Sequence, residues 1–114
     1  MAITGLHTLL YTSEPEALRA TLRDVFGFDH VDAGEGWLIF AMPPAEMGVH
    51  PGDAPAQQLS FMCDDLESTI AELRGRGIDF VGEPTDEGFG IVTRMLLPGG
   101  VEVQLYEPRH PTAI

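Results

Sequence analysis

The sequence predicts an α+β fold made of two similar halves, each a strand, a helix and three further strands. Three observations predict it. Short apolar runs bounded by Gly and Pro alternate with two longer stretches of helical period. Each helical stretch opens on a Ser or Asp followed three residues later by Glu, and each closes on a Gly. The two sets of signals are offset almost evenly: His7 to Gln58 and Ser13 to Asp64 are each 51 residues apart, and Gly27 to Gly77 is 50. A lone repeat of this kind reads as one packed fold over residues 1–114, not as a solenoid.

In the first half (1–50), LHTLLYT at 6–12 reads as a strand. A helix follows from Ser13, with Ser13 and Glu16 as its capping box and Pro15 in its first turn. Leu18, Leu22, Val25 and Phe26 keep the 3.6-residue period, and Gly27 supplies a left-handed stop. Strands are expected near 28–33, 36–42 and 46–50, the last with Met47 and Val49 as its core pair. Pro51–Gln57 is a linker. In the second half (58–108), QLSFMC at 58–63 is a strand. A helix begins at the Asp64–Glu67 box, buries Leu66, Ile70 and Leu73, and stops at Gly77. Strands are expected near 78–82, 89–97 and 101–106, and residues 109–114 form a tail.

Six Arg and no Lys face 18 carboxylates, for a net charge of −12. Such a surface repels phosphate backbones and anionic lipid, so no nucleic acid and no membrane partner is expected. No apolar run has membrane-spanning length and the opening residues carry no basic leader, so the expected location is the cytoplasm. Cys63 is the single cysteine and reads as a structural thiol.

Three stretches together resemble the vicinal oxygen chelate superfamily of glyoxalases, bleomycin resistance proteins and extradiol dioxygenases. They are HTLLYTSEPEALRATLRDVFGF, QLSFMCDDLESTIAELRGRGIDFVGEP and LLPGGVEVQLYEP, which cover nearly the whole chain. The resemblance implies two βαβββ modules whose curled sheets form an eight-stranded cup with the helices outside. It also implies a homodimer. Members use the cup either for divalent-metal chemistry or, without metal, to hold a small molecule, and the fold alone does not decide between these.

Carried over to this chain, the family's metal-ligand positions are His7, Gly48, Gln58 and Gln104. One imidazole and two amides bring no formal charge to offset the desolvation of a dication. No cofactor is therefore favoured. A divalent metal, if bound, would use His7, Gln58 and Gln104 with His50 or Glu102. Strand alternation puts Glu102, Gln104 and Tyr106 on the cup face, against Val101, Val103 and Leu105. The expected ligand-binding residues are His7, Tyr11, His50, Gln58, Gln104 and Tyr106. Arg94 has two readings, an inward residue able to bind an anionic group or an outward edge or dimer charge, of which the outward one leads; His30 and His110 are read as surface residues. The leading expectation is a metal-free cup that binds a small, partly apolar molecule. The alternatives are a metal-dependent lyase, isomerase or dioxygenase with a displaced ligand set, and an antibiotic-sequestering resistance protein whose acidic surface attracts a cationic drug.

Overall fold

The computed structural model describes residues 3–114. Its elements run α1 (Pro15–Asp24), β1 (His30–Asp32), β2 (Leu38–Phe40), β3 (Ser60–Met62), α2 (Leu66–Gly75), β4 (Asp79–Asp86), β5 (Gly90–Leu97) and β6 (Val101–Pro108). The expected α+β class holds, with six strands rather than eight. They form a two-stranded antiparallel sheet, β1-β2, and a four-stranded sheet in the order β3-β6-β5-β4. In the larger sheet β3 runs parallel to β6 and the other pairs are antiparallel. The sheets do not close on one another.

The second half follows its sequence pattern because one periodicity feeds one core. Leu66, Ile70 and Leu73 lie on a single stripe of α2 and are all buried. They meet Met95, Leu97, Val103 and Leu105, the odd-numbered residues of β5 and β6, and Leu18 of α1 joins the same cluster. Met95 is 0% exposed and Val103 1%. Leu59, Phe61 and Cys63 pack on the edge of this core. Both helices therefore cover one face of the four-stranded sheet, and the even-numbered residues of β5 and β6 hold the other. The stop at Gly77 (φ 92°) is a Schellman turn, with Gly77 N–H donating to Arg74 O and Ile78 N–H to Leu73 O, each at 3.0 Å.

Both expected capping boxes are displaced by one residue. Helix α2 is capped by Asp65, whose carboxylate accepts from Ser68 N–H at 3.2 Å. Helix α1 starts after Glu14, which makes no side-chain cap. The polar groups there reach across the fold instead. Thr12 Oγ1 donates to Pro98 O at 3.0 Å, and Glu14 Oε2 accepts from Gly99 N–H at 2.8 Å. This latch fastens the start of α1 to the β5–β6 turn.

The first half departs from its pattern. Residues 6–12 and 46–50 form no ladder among the described residues. Met47 and Val49, expected as a core pair, are 76% and 96% exposed. For 46–50 the physical reason lies in the flanks: Pro43, Pro44 and Pro51 have no N–H to give a ladder, and Gly48 has no side chain to pack.

Candidate functional site

The open face of the four-stranded sheet carries the polar residues of interest. Ser60 on β3 stands in register with Gln104 on β6, Gln104 with Arg94 on β5, and Arg94 with Val81 on β4. Direct partners share a face, with side chains about 5 Å apart. A hydrogen-bond relay runs along this row. Gln58 Nε2 donates to Ser60 Oγ at 3.4 Å, and Ser60 Oγ donates to Gln104 Oε1 at 2.9 Å. Gln58 and Gln104 thus belong together, joined through Ser60. The sequence pattern gave Ser60 a face but no role, because a hydroxyl between two amides leaves no spacing signature.

Tyr106 lies on the same face, two residues beyond Gln104, yet it is buried. Phe89 meets its ring edge-on with centroids 5.8 Å apart, and His110 stacks over it. Tyr106 Oη and His110 Nε2 are 3.0 Å apart, while His110 Nδ1 lies 2.7 Å from Pro111 O. A carbonyl only accepts, so Nδ1 carries a proton, and in the neutral ring Nε2 accepts from the phenol. Burial, and next the Glu46 carboxylate, push the Tyr106 phenol above its usual range. His110 is therefore not the surface residue its polar context suggested; it covers one end of the site.

Arg94 takes the inward of its two expected placements. Its register partner is Gln104, so it stands on the open face, and β5 is an inner strand, not an edge. Its Nη1 lies 3.6 Å from Glu102 Oε2.

The remaining candidates stand apart. His7, Tyr11 and His50 are exposed in the segments without ladders, Tyr11 at 85%. His50 Nδ1 pairs only with its neighbour's Pro51 O, at 3.1 Å. The donors named for a metal do not fit one. Among the described residues no three His, Cys, Asp or Glu come together, and Gln104 Oε1 is already engaged by Ser60. Two recesses elsewhere hold none of these residues. One, of about 230 Å³, lies between α1 and β2, and the other, of about 580 Å³, lies beside α2.

A sheet with both helices on one face and a polar row on the other, following a helix–strand–strand half, defines a class of open α+β proteins. Residues 5–105 match the model of the Glyoxalase/Bleomycin resistance protein/Dioxygenase superfamily, and the chain belongs to that superfamily. Solved structures agree on the fold. TnmS3, an antibiotic binding protein from Streptomyces sp. CB03234, is 24% identical with a TM-score of 0.68, over 95% of this chain and 98% of its own. A lactoylglutathione lyase from Agrobacterium tumefaciens is 20% identical with a TM-score of 0.65, over 94% and 95%. A superfamily member from Sphaerobacter thermophilus DSM 20745 is 20% identical with a TM-score of 0.63, over 94% and 98%. No protein of curated function matches the chain.

Proposed function

We propose that this chain, as a single domain over residues 1–114, binds a small, partly apolar molecule against the open sheet face. The carrying observation is the Gln58–Ser60–Gln104 relay, set in a face that also offers Met62, Val81 and Leu96. Few oriented polar groups on an apolar wall are the usual makeup of a ligand site. Gln58, Gln104 and Tyr106 supply the contacts from this wall, and His7, Tyr11 and His50 come from the segments that have no ladder of their own. The similarity to an antibiotic binding protein favours sequestration of an antibiotic-like molecule as the biological role.

A ligand site buries most of its ligand, and one sheet face supplies half a container. The second wall, in this reading, is another copy of the chain. The chain exposes 8337 Å², whereas a compact protein of 12.4 kDa exposes about 6,100 Å². Its radius of gyration is 15.1 Å against about 13 Å for a compact chain of this length. An excess of about 2,200 Å² per chain is the scale of an obligate dimer interface. The lone thiol of Cys63 suits a reducing compartment such as the cytoplasm.

Two measurements test this. A thermal-shift screen against metabolites and antibiotics is expected to give hits that raise the melting point, because they bind the native state alone. A repeat with added Mn²⁺, Fe²⁺, Ni²⁺ and Zn²⁺ is expected to leave those hits unchanged. Light scattering is expected to give twice the mass of the chain. A ligand bound only in the presence of metal, or a strictly monomeric chain, would remove this reading.

A further inference from the structure

We propose that Arg94 is the residue that sets ligand charge: together with Gln104 it forms a paired donor site for a carboxylate on an otherwise apolar ligand. The inference rests on the small-molecule reading above and names the ligand class for that same face.

The argument begins with the position of Arg94. A charged side chain on an edge strand blunts unwanted pairing. Strand β5 is flanked by β6 and β4, so that explanation is closed for Arg94. Its face is also not that of the other guanidiniums. Arg19 lies over Trp37, Arg74 over Phe80, and Arg109 beside Glu107. Arg23 pairs with Asp24, and Arg76 donates to Val25 O. Arg94 is thus the single cation in the row that includes Ser60 and Gln104.

The second step is donor polarity. Gln104 Oε1 accepts from Ser60, so the free end of the amide is its NH₂ group. Ser60 is itself ordered by Gln58 behind it. A directional chain, Gln58 to Ser60 to Gln104, therefore ends in N–H donors beside a guanidinium with five more. Adjacent N–H donors match an oxyanion, and a planar guanidinium matches a carboxylate in bidentate fashion.

The third step is availability. The partner of Arg94 among the described residues is Glu102, at 3.6 Å, with side chains 54% and 47% exposed. Such a pair is weak, and water or another anion exchanges with it readily. Beside the row stands Leu96 on β5, 41% exposed on an inner strand. It gives an apolar body somewhere to rest while its carboxylate meets Arg94. The overall charge of −12 repels anions at long range, but that repulsion is screened beyond about 8 Å at physiological salt, and the local donors decide the bound state.

The experiment uses the full chain and three isosteric probes: 1-naphthoate, neutral 1-naphthamide and cationic 1-naphthylmethylamine. Binding is followed by amide chemical shifts at physiological salt. Naphthoate is expected to bind about tenfold more tightly than naphthamide, with the largest shifts at Ser60, Arg94 and Gln104, and the amine more weakly than either. Arg94→Gln is expected to abolish the advantage of naphthoate over naphthamide. Glu102→Gln, which removes the competing carboxylate, is expected to increase it. Arg94→Lys keeps charge but not the fork and is expected to fall between. Equal binding of naphthoate and naphthamide, or an unchanged naphthoate affinity in Arg94→Gln, overturns the assignment of Arg94 and leaves the small-molecule reading standing. Failure of all three probes to perturb this face overturns both.

Discussion

The two halves of this chain are written in one grammar and folded to different degrees. In the second, β3 and β6 pair through three residues and β5 and β6 through eight, over a core that excludes water from Met95 and Val103. In the first, α1 forms and stops at Gly27 (φ 68°), and β1 and β2 make a short ladder. The flanking segments 6–12 and 46–50 stay unpaired and leave Leu6, Leu9, Met47 and Val49 exposed. The difference teaches that an apolar pattern is necessary for a strand but not sufficient. A ladder also needs N–H donors and a surface to rest on. Residues 101–107 have both, while Pro43, Pro44 and Gly48 deny residues 46–50 the donors and the packing.

Matched substitutions in the two halves test the comparison. The largest effect is expected in the core of the second half: Met95→Ala should lower stability by about 2–5 kcal/mol in urea unfolding, through a buried cavity. The counterpart Val49→Ala should cost under about 0.5 kcal/mol at high dilution; a loss that grows with protein concentration would show that another copy covers the first half. Gly90→Ala comes next. A Cβ there would stand 2.6 Å from Glu107 O and 2.9 Å from a Tyr106 ring carbon, so a cost of about 1–3 kcal/mol is expected by the same assay. Gly48→Ala meets nothing within 4 Å and should be close to neutral. The helix starts give a smaller contrast. Asp65→Ala should cost about 1 kcal/mol by removing the bond to Ser68 N–H, while Ser13→Ala should stay within about 0.5 kcal/mol. A larger loss at Ser13 would restore the sequence-based cap.

The smallest effect concerns Cys63. Burial first, then the nearby Glu107, Asp64 and Asp65 carboxylates, raise its thiol above the usual range, against a lowering by Thr69. The neutral thiol is therefore the form the fold favours. Its contribution is fully present below the unfolded thiol pKa and is lost as pH rises through the folded one. Iodoacetamide should label the folded chain more slowly than the urea-unfolded chain across the mildly alkaline range. Equal rates would show that the β3 end of the second half is open.

Much of this could be read from the residues. Both helices, both glycine stops, and the long strands β5 and β6 carry strong periodic signals, because each serves a single core. The departures share one cause, which is that partners distant in sequence decided the outcome. Glu14 left the helix cap for Gly99, and Arg94 took its face from register with Gln104. Neither of these pairings is visible in a local window. The relay through Ser60 is of the same kind: alternation identified its face, but only the parallel pairing of β3 with β6 sets it against Gln104.

The latch between Thr12, Glu14 and the β5–β6 turn joins groups 85 and 86 residues apart. A chain made from its N-terminus cannot close it until residue 99 has been synthesised. During translation the start of α1 must wait for the β5–β6 turn before it is fastened.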